Sequence, residues 1–94
     1  MGLDMNFYKK GFVELDYSFV TRDRDLFDFI TEECGIKYGD EEYGKYVEIP
    51  PDKLDKVISY IAKRNREFGN CSYLLAELVT CKEQGETVYI NADW

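Results

Sequence analysis

Histidine is absent from this chain, proline occurs only twice and cysteine three times. Without an imidazole, the usual general base and nucleophile activator is missing, and Ser18, Ser59 and Ser72 are the only serines. Serine or cysteine triads in their usual form are therefore excluded, and no catalytic residue is assigned. Cys34, Cys71 and Cys81 are odd in number and lack C-x-x-C spacing, and no histidine completes a zinc tetrad. Reduced, partly buried thiols follow, with no metal and no cofactor expected. No apolar run approaches the ~20 residues that span a bilayer, and the first residues lack a basic stretch leading into a signal-type apolar segment. The expectation is a soluble chain of the cytoplasm, with no membrane among its partners. Basic residues are also scarce, 12 against 19 acids for a net charge of −7. That balance opposes direct nucleic-acid binding, which depends on clustered lysine and arginine, and favours cationic partners.

What is present is apolar and aromatic bulk: 45% hydrophobic residues, with eight tyrosines and six phenylalanines among 94. One domain over 1–94 that folds without metal or disulfides is expected. Leu3, Met5 and Phe7 alternate with Asp4, Asn6 and Tyr8, and Val13, Leu15, Tyr17 and Phe19 alternate with Glu14, Asp16 and Ser18. Both runs have the strand period of two, and Lys9-Lys10-Gly11 turns the chain between them, which predicts a hairpin. A helix is predicted over 23–34 with Gly35 as its stop, followed by a polar loop over 36–44 and a strand over 45–49 that Pro50 ends. Pro51 opens a second helix reaching Phe68 and Gly69. A third helix over 72–84 and a last strand over 86–91 complete the order β-β-α-β-α-α-β. The predicted class is α+β, an antiparallel sheet of about four strands with three helices on one face.

The opening Met1-Gly2-Leu3-Asp4-Met5-Asn6-Phe7-Tyr8, the segment Glu14-Leu15-Asp16-Tyr17 and the closing Val88-Tyr89-Ile90 with Trp94 resemble a family of small phage and prophage proteins of unassigned activity. Its members open Met-Gly-Leu-Asp-Met-Tyr-x-Tyr and close on a Val-Tyr-Tyr strand before a terminal Trp. Its members usually carry, after the second strand, a Trp-Arg-Lys-His segment that this chain lacks. The resemblance implies a phage or prophage origin and a fold, without a mechanism.

Three segments are candidates for contact. On the first helix Leu26, Phe27, Ile30 and Cys34 share one arc, while Asp25, Asp28, Glu32 and Glu33 stand opposite with Phe29 among them. An ordered acid row of this kind, about 10 Å long, has the spacing of successive phosphates and suits mimicry of nucleic acid. An ordinary solvated face is the competing reading. In the loop, Asp40, Glu41 and Glu42 lie between Tyr38, Tyr43 and Tyr46, residues suited to an interface or to packing on the sheet. On the second helix Leu54, Val57, Ile58, Ile61 and Phe68 form the core arc, and Lys53, Lys56, Lys63 and Arg64 surround Tyr60 opposite. That stripe is a possible phosphate or RNA contact, or a partner for the protein's own acids. The third helix, with Leu74, Leu75, Leu78, Val79 and Cys81, reads as core.

The functional expectation is an accessory protein that binds a host or defence protein with a cationic surface, in the manner of an anti-CRISPR or another anti-defence inhibitor. A self-associating module, dimerising through a sheet edge, Phe29 or Trp94, is the alternative. An enzyme is not expected.

Overall fold

A computed structural model of the chain describes residues 3–11, 13–15, 24–69 and 71–93. The order of elements is β1 (Asp4–Lys9), β2 (Val13–Glu14), α1 (Arg24–Asp28) continued by a π-helical turn (Phe29–Glu33), a 3₁₀ turn (Asp40–Glu42), β3 (Tyr46–Ile49), α2 (Pro51–Phe68), α3 (Ser72–Glu83) and β4 (Val88–Asp93). The strands form one antiparallel sheet in the order β2-β1-β4-β3, so the fold is α+β with the element order read from the sequence.

The period-two alternation decides which side of the sheet meets the helices. Met5 pairs with Ala92, Phe7 and Val47 with Ile90, and Ile49 with Val88, and this set points inward. Met5, Phe7, Ile49, Val88, Ile90 and Ala92 are all buried, and they join Leu26, Ile30, Leu54, Val57, Ile61, Leu74 and Leu78 of the helices in one core. At about 25 cal/mol per Å² of apolar surface removed from water, such side chains contribute roughly 1.5–3 kcal/mol each before chain entropy is set against them.

The helix boundaries have local causes. Pro51 starts α2, where its missing N–H is no loss, and Gly69 ends it at φ +68°, its N–H donating to the Asn65 carbonyl at 2.7 Å. The Asn65 side-chain oxygen also accepts the Cys71 N–H at 2.9 Å, which fixes where α3 begins. A Lys82–Asp55 bridge of 3.0 Å ties α3 to α2.

Several expectations are corrected. The last strand runs two residues further than its alternation suggested, through Ala92 and Asp93, because β1 pairs with it as far as Asp4. Val13 is 50% exposed rather than core, since β2 is the sheet edge at that point. Phe68, placed on the core arc of α2, is 68% exposed on its last turn, just before Gly69 turns the chain. Val79 of α3 is also exposed and Leu75 only half-buried, so this helix is less enclosed than expected. Tyr17, Phe19 and Trp94 lie outside the described residues.

Candidate protein-binding surface

The first helix departs most from its sequence reading. Its second half winds as a π turn, with the Cys34 N–H donating to the Phe29 carbonyl at 3.0 Å and the Ile36 N–H to the Ile30 carbonyl at 3.2 Å. The Thr31 hydroxyl donates to the Phe27 carbonyl at 3.0 Å, satisfying an acceptor beside the altered winding. A wheel drawn at 100° per residue does not hold through such a turn. Phe29 is half-buried and stacks on Tyr60 of α2, ring centroids 4.5 Å apart and planes 27° apart.

The expected acid row is consequently interleaved with the protein's own cations. Asp28 pairs with Arg24 at 3.5 Å. Glu33 shares an open groove of about 580 Å³ with Phe29, Asp55, Lys56, Ser59, Tyr60 and Lys63. Asp25 lines an adjoining groove with Lys63, Arg64 and Glu67, while Glu32 is exposed. Acidic α1 and basic α2 therefore face one another. Basic residues of α2 thus line the same grooves as Glu33 and Asp25, while Asp25, Glu32 and Glu33 themselves remain exposed.

The basic stripe divides in the same way. Lys56, Tyr60 and Lys63 line the first groove, whereas Arg64 donates to the Tyr60 hydroxyl at 2.8 Å with its guanidinium 5.1 Å from that ring's centre. Lys53 is half-buried, and with Lys56 it stands near enough to the Cys34 thiol to oppose the rise that burial imposes on it. Burial, then Asp25 and Glu67, keep the Tyr60 phenol protonated above its ordinary range.

In the loop, Tyr38 is buried rather than offered to a partner. Its hydroxyl accepts the Ala92 N–H at 2.7 Å and lies 2.8 and 2.9 Å from the carbonyls of Lys45 and Ala92, so it locks the loop to the end of β4. Glu42 accepts the Gly39 N–H at 2.7 Å and Glu41 reaches Lys37 at 3.6 Å, and Asp40, Glu41 and Tyr43 are exposed.

The surface missed in the sequence is the outward side of the sheet. Cross-strand partners project on the same side. Glu14 lies opposite Tyr8, Tyr8 opposite Tyr89, and Tyr89 opposite Glu48, which makes one line across all four strands. Asn6, Asn91 and Tyr46 form a second line, and Asp4 with Asp93 a third. All nine residues are exposed or half-exposed. Four are carboxylates, three are tyrosines, two are asparagines, and no lysine or arginine of the described strands shares the face.

Part of this face is held by hydrogen bonds. The Asn6 amide donates to Glu14 at 2.8 Å and to the Tyr8 hydroxyl at 3.3 Å, and that hydroxyl lies 3.5 Å from the same Glu14 oxygen. Tyr8 meets Tyr46 edge to face, with centroids 4.9 Å apart. Asn91 donates to the Gly44 carbonyl at 2.9 Å, joining the acidic loop to the same side of the molecule. Burial is the main reason the Tyr8 phenol holds its proton above the ordinary range, with Glu14 adding to it and the Asn6 bond opposing.

Comparison with protein-family models, curated proteins and solved structures finds no match. Among the described residues no group of three or more histidines, cysteines or carboxylates is placed to hold a metal, and no helix is long and apolar enough to cross a membrane.

Proposed function

We propose that this chain acts by binding a cationic protein surface, and that the outward side of the sheet is its docking face. The observation that carries the reading is the segregation of charge: four carboxylates and three tyrosines without a strand lysine or arginine among them, while the helix acids adjoin basic neighbours. Tyrosines supply large contact area at small rotamer cost, and a single-sign face speeds encounter with a partner of opposite sign. The setting proposed for this activity is that of a phage or prophage accessory protein directed at a host or defence protein. It rests on the resemblance of the terminal segments alone.

The test compares two variants of equal net charge. Asp4→Asn/Glu14→Gln/Glu48→Gln/Asp93→Asn and Asp25→Asn/Asp28→Asn/Glu32→Gln/Glu33→Gln each remove four charges from the net −7. Retention on immobilised deca-arginine at low and moderate salt is expected to fall strongly for the sheet variant and only modestly for the helix variant. Loss by the helix variant with retention by the sheet variant would return the site to α1 and the mimicry form of the proposal.

Self-association is a second reading, favoured by Tyr73 at 77% exposed and by the exposed Phe68 and Val79 on the opposite, helical side. Sedimentation at micromolar concentration tests it: a dimer dissociated by Phe68→Ser/Tyr73→Ser would support it, and a monomer would remove it.

A further inference from the structure

The docking face carries a more specific chemistry than negative charge. At one end of the line across the sheet Tyr8 adjoins Glu14, and at the other Tyr89 adjoins Glu48. The first pair sets a phenol beside a carboxylate, and Asn6 fixes it by donating to both members; the second places the same two residue types opposite one another in register. A ring next to a carboxylate suits a guanidinium, which is planar, stacks on aromatic faces and gives a carboxylate two parallel N–H donors. An ammonium is attracted to a ring face but neither stacks flat on it nor offers two parallel donors.

Resting on the docking face proposed above, we infer that the face selects arginine over lysine and takes an extended protein segment whose arginines are four residues apart. The spacing follows from the sheet. Glu14 and Glu48 stand on the outermost of four strands, three intervals apart, and at ~4.8 Å per interval their backbones are about 14 Å from one another. An extended chain advances about 3.4 Å per residue and repeats its face every second residue, so positions i and i+4 lie about 14 Å apart on one side. A segment crossing the strands thereby brings one arginine to each tyrosine–glutamate pair. The negative rim residues Asp4 and Asp93 then attract the segment without discriminating between cations.

Fluorescence anisotropy at low salt tests this with ten-residue serine/glycine peptides: arginines at i and i+4, lysines at the same positions, and two adjacent arginines. The spaced arginine peptide should bind tightest, exceeding its lysine counterpart by roughly two- to fivefold per arginine. Tyr8→Leu/Tyr89→Leu should erase that preference while Tyr8→Phe/Tyr89→Phe retains it, each variant being checked for its fold by circular dichroism. Equal affinity for arginine and lysine, a preference for the adjacent pair, or no binding by any peptide overturns the inference. If lysine and arginine bind equally and the sheet-face amide variant loses both, the docking face stands and only the selectivity falls. If that variant binds the peptides like the unaltered protein, the docking face falls with it.

Discussion

Tyr8 and Tyr46 meet edge to face at 4.9 Å although their strands are not neighbours, because β4 lies between them. Their rings cross over that strand between Tyr89 and Asn91, the residues opposite which they stand. The contact therefore exists only when all three strands are in register. It makes the outward face a product of tertiary structure rather than of any one strand.

Replacing Tyr38 by phenylalanine should be costly for so small a change. The lost hydroxyl leaves the buried Ala92 N–H without its acceptor, an unsatisfied group worth about 1–3 kcal/mol. The urea midpoint is expected to fall accordingly with its slope unchanged.

Gly69→Ala should destabilise by roughly 1–2 kcal/mol, since a φ of +68° burdens any residue with a Cβ. No neighbour lies within 4 Å of the added atom, so the cost is conformational alone. Gly39→Ala, without a positive φ, should cost much less by the same thermal or urea measurement.

Stability should decline on the alkaline side. Burial raises the thiols of Cys34 and Cys81 above their ordinary 9.0 and the phenols of Tyr8, Tyr38 and Tyr60 above 10.0. A group raised in the folded state adds stability below its unfolded value and loses it as pH climbs through the folded one. The unfolding free energy should thus hold with respect to these groups up to about pH 9, the ordinary thiol value, and drop beyond it. The same buried thiols should react with a disulfide reagent only at the rate of unfolding.

Phe29→Ala should lower stability, because its stack on Tyr60 is worth about 0.5–1.5 kcal/mol beyond area burial. If Phe29 serves the fold in this way, the substitution leaves retention on an arginine resin unchanged once the variant is shown to be folded.

Local chemistry was legible along the chain wherever one residue dictates a backbone choice. Pro51 and Gly69 bracket α2, and the alternation of Asp4, Asn6 and Tyr8 against Met5 and Phe7 already names one strip of the outward face. The rest is non-local. Nothing in the spacing of Tyr46 or Tyr89 indicates that β4 inserts between β1 and β3, and that strand order is what assembles the face. The π turn was equally hidden, since Phe29–Glu33 reads as ordinary helix until its hydrogen bonds shift, and the acids of α1 then adjoin the lysines of α2. Acids of the first helical segment line the same grooves as basic residues of α2, and only tertiary structure reveals that.

The docking face is tested most directly by amide shift mapping during titration with the spaced arginine peptide. Perturbations are expected to gather at Asn6, Tyr8, Glu14, Tyr46, Glu48, Tyr89 and Asn91. A map centred on Asp25, Phe29, Glu33 and Lys56, with the strands unmoved, would contradict the account.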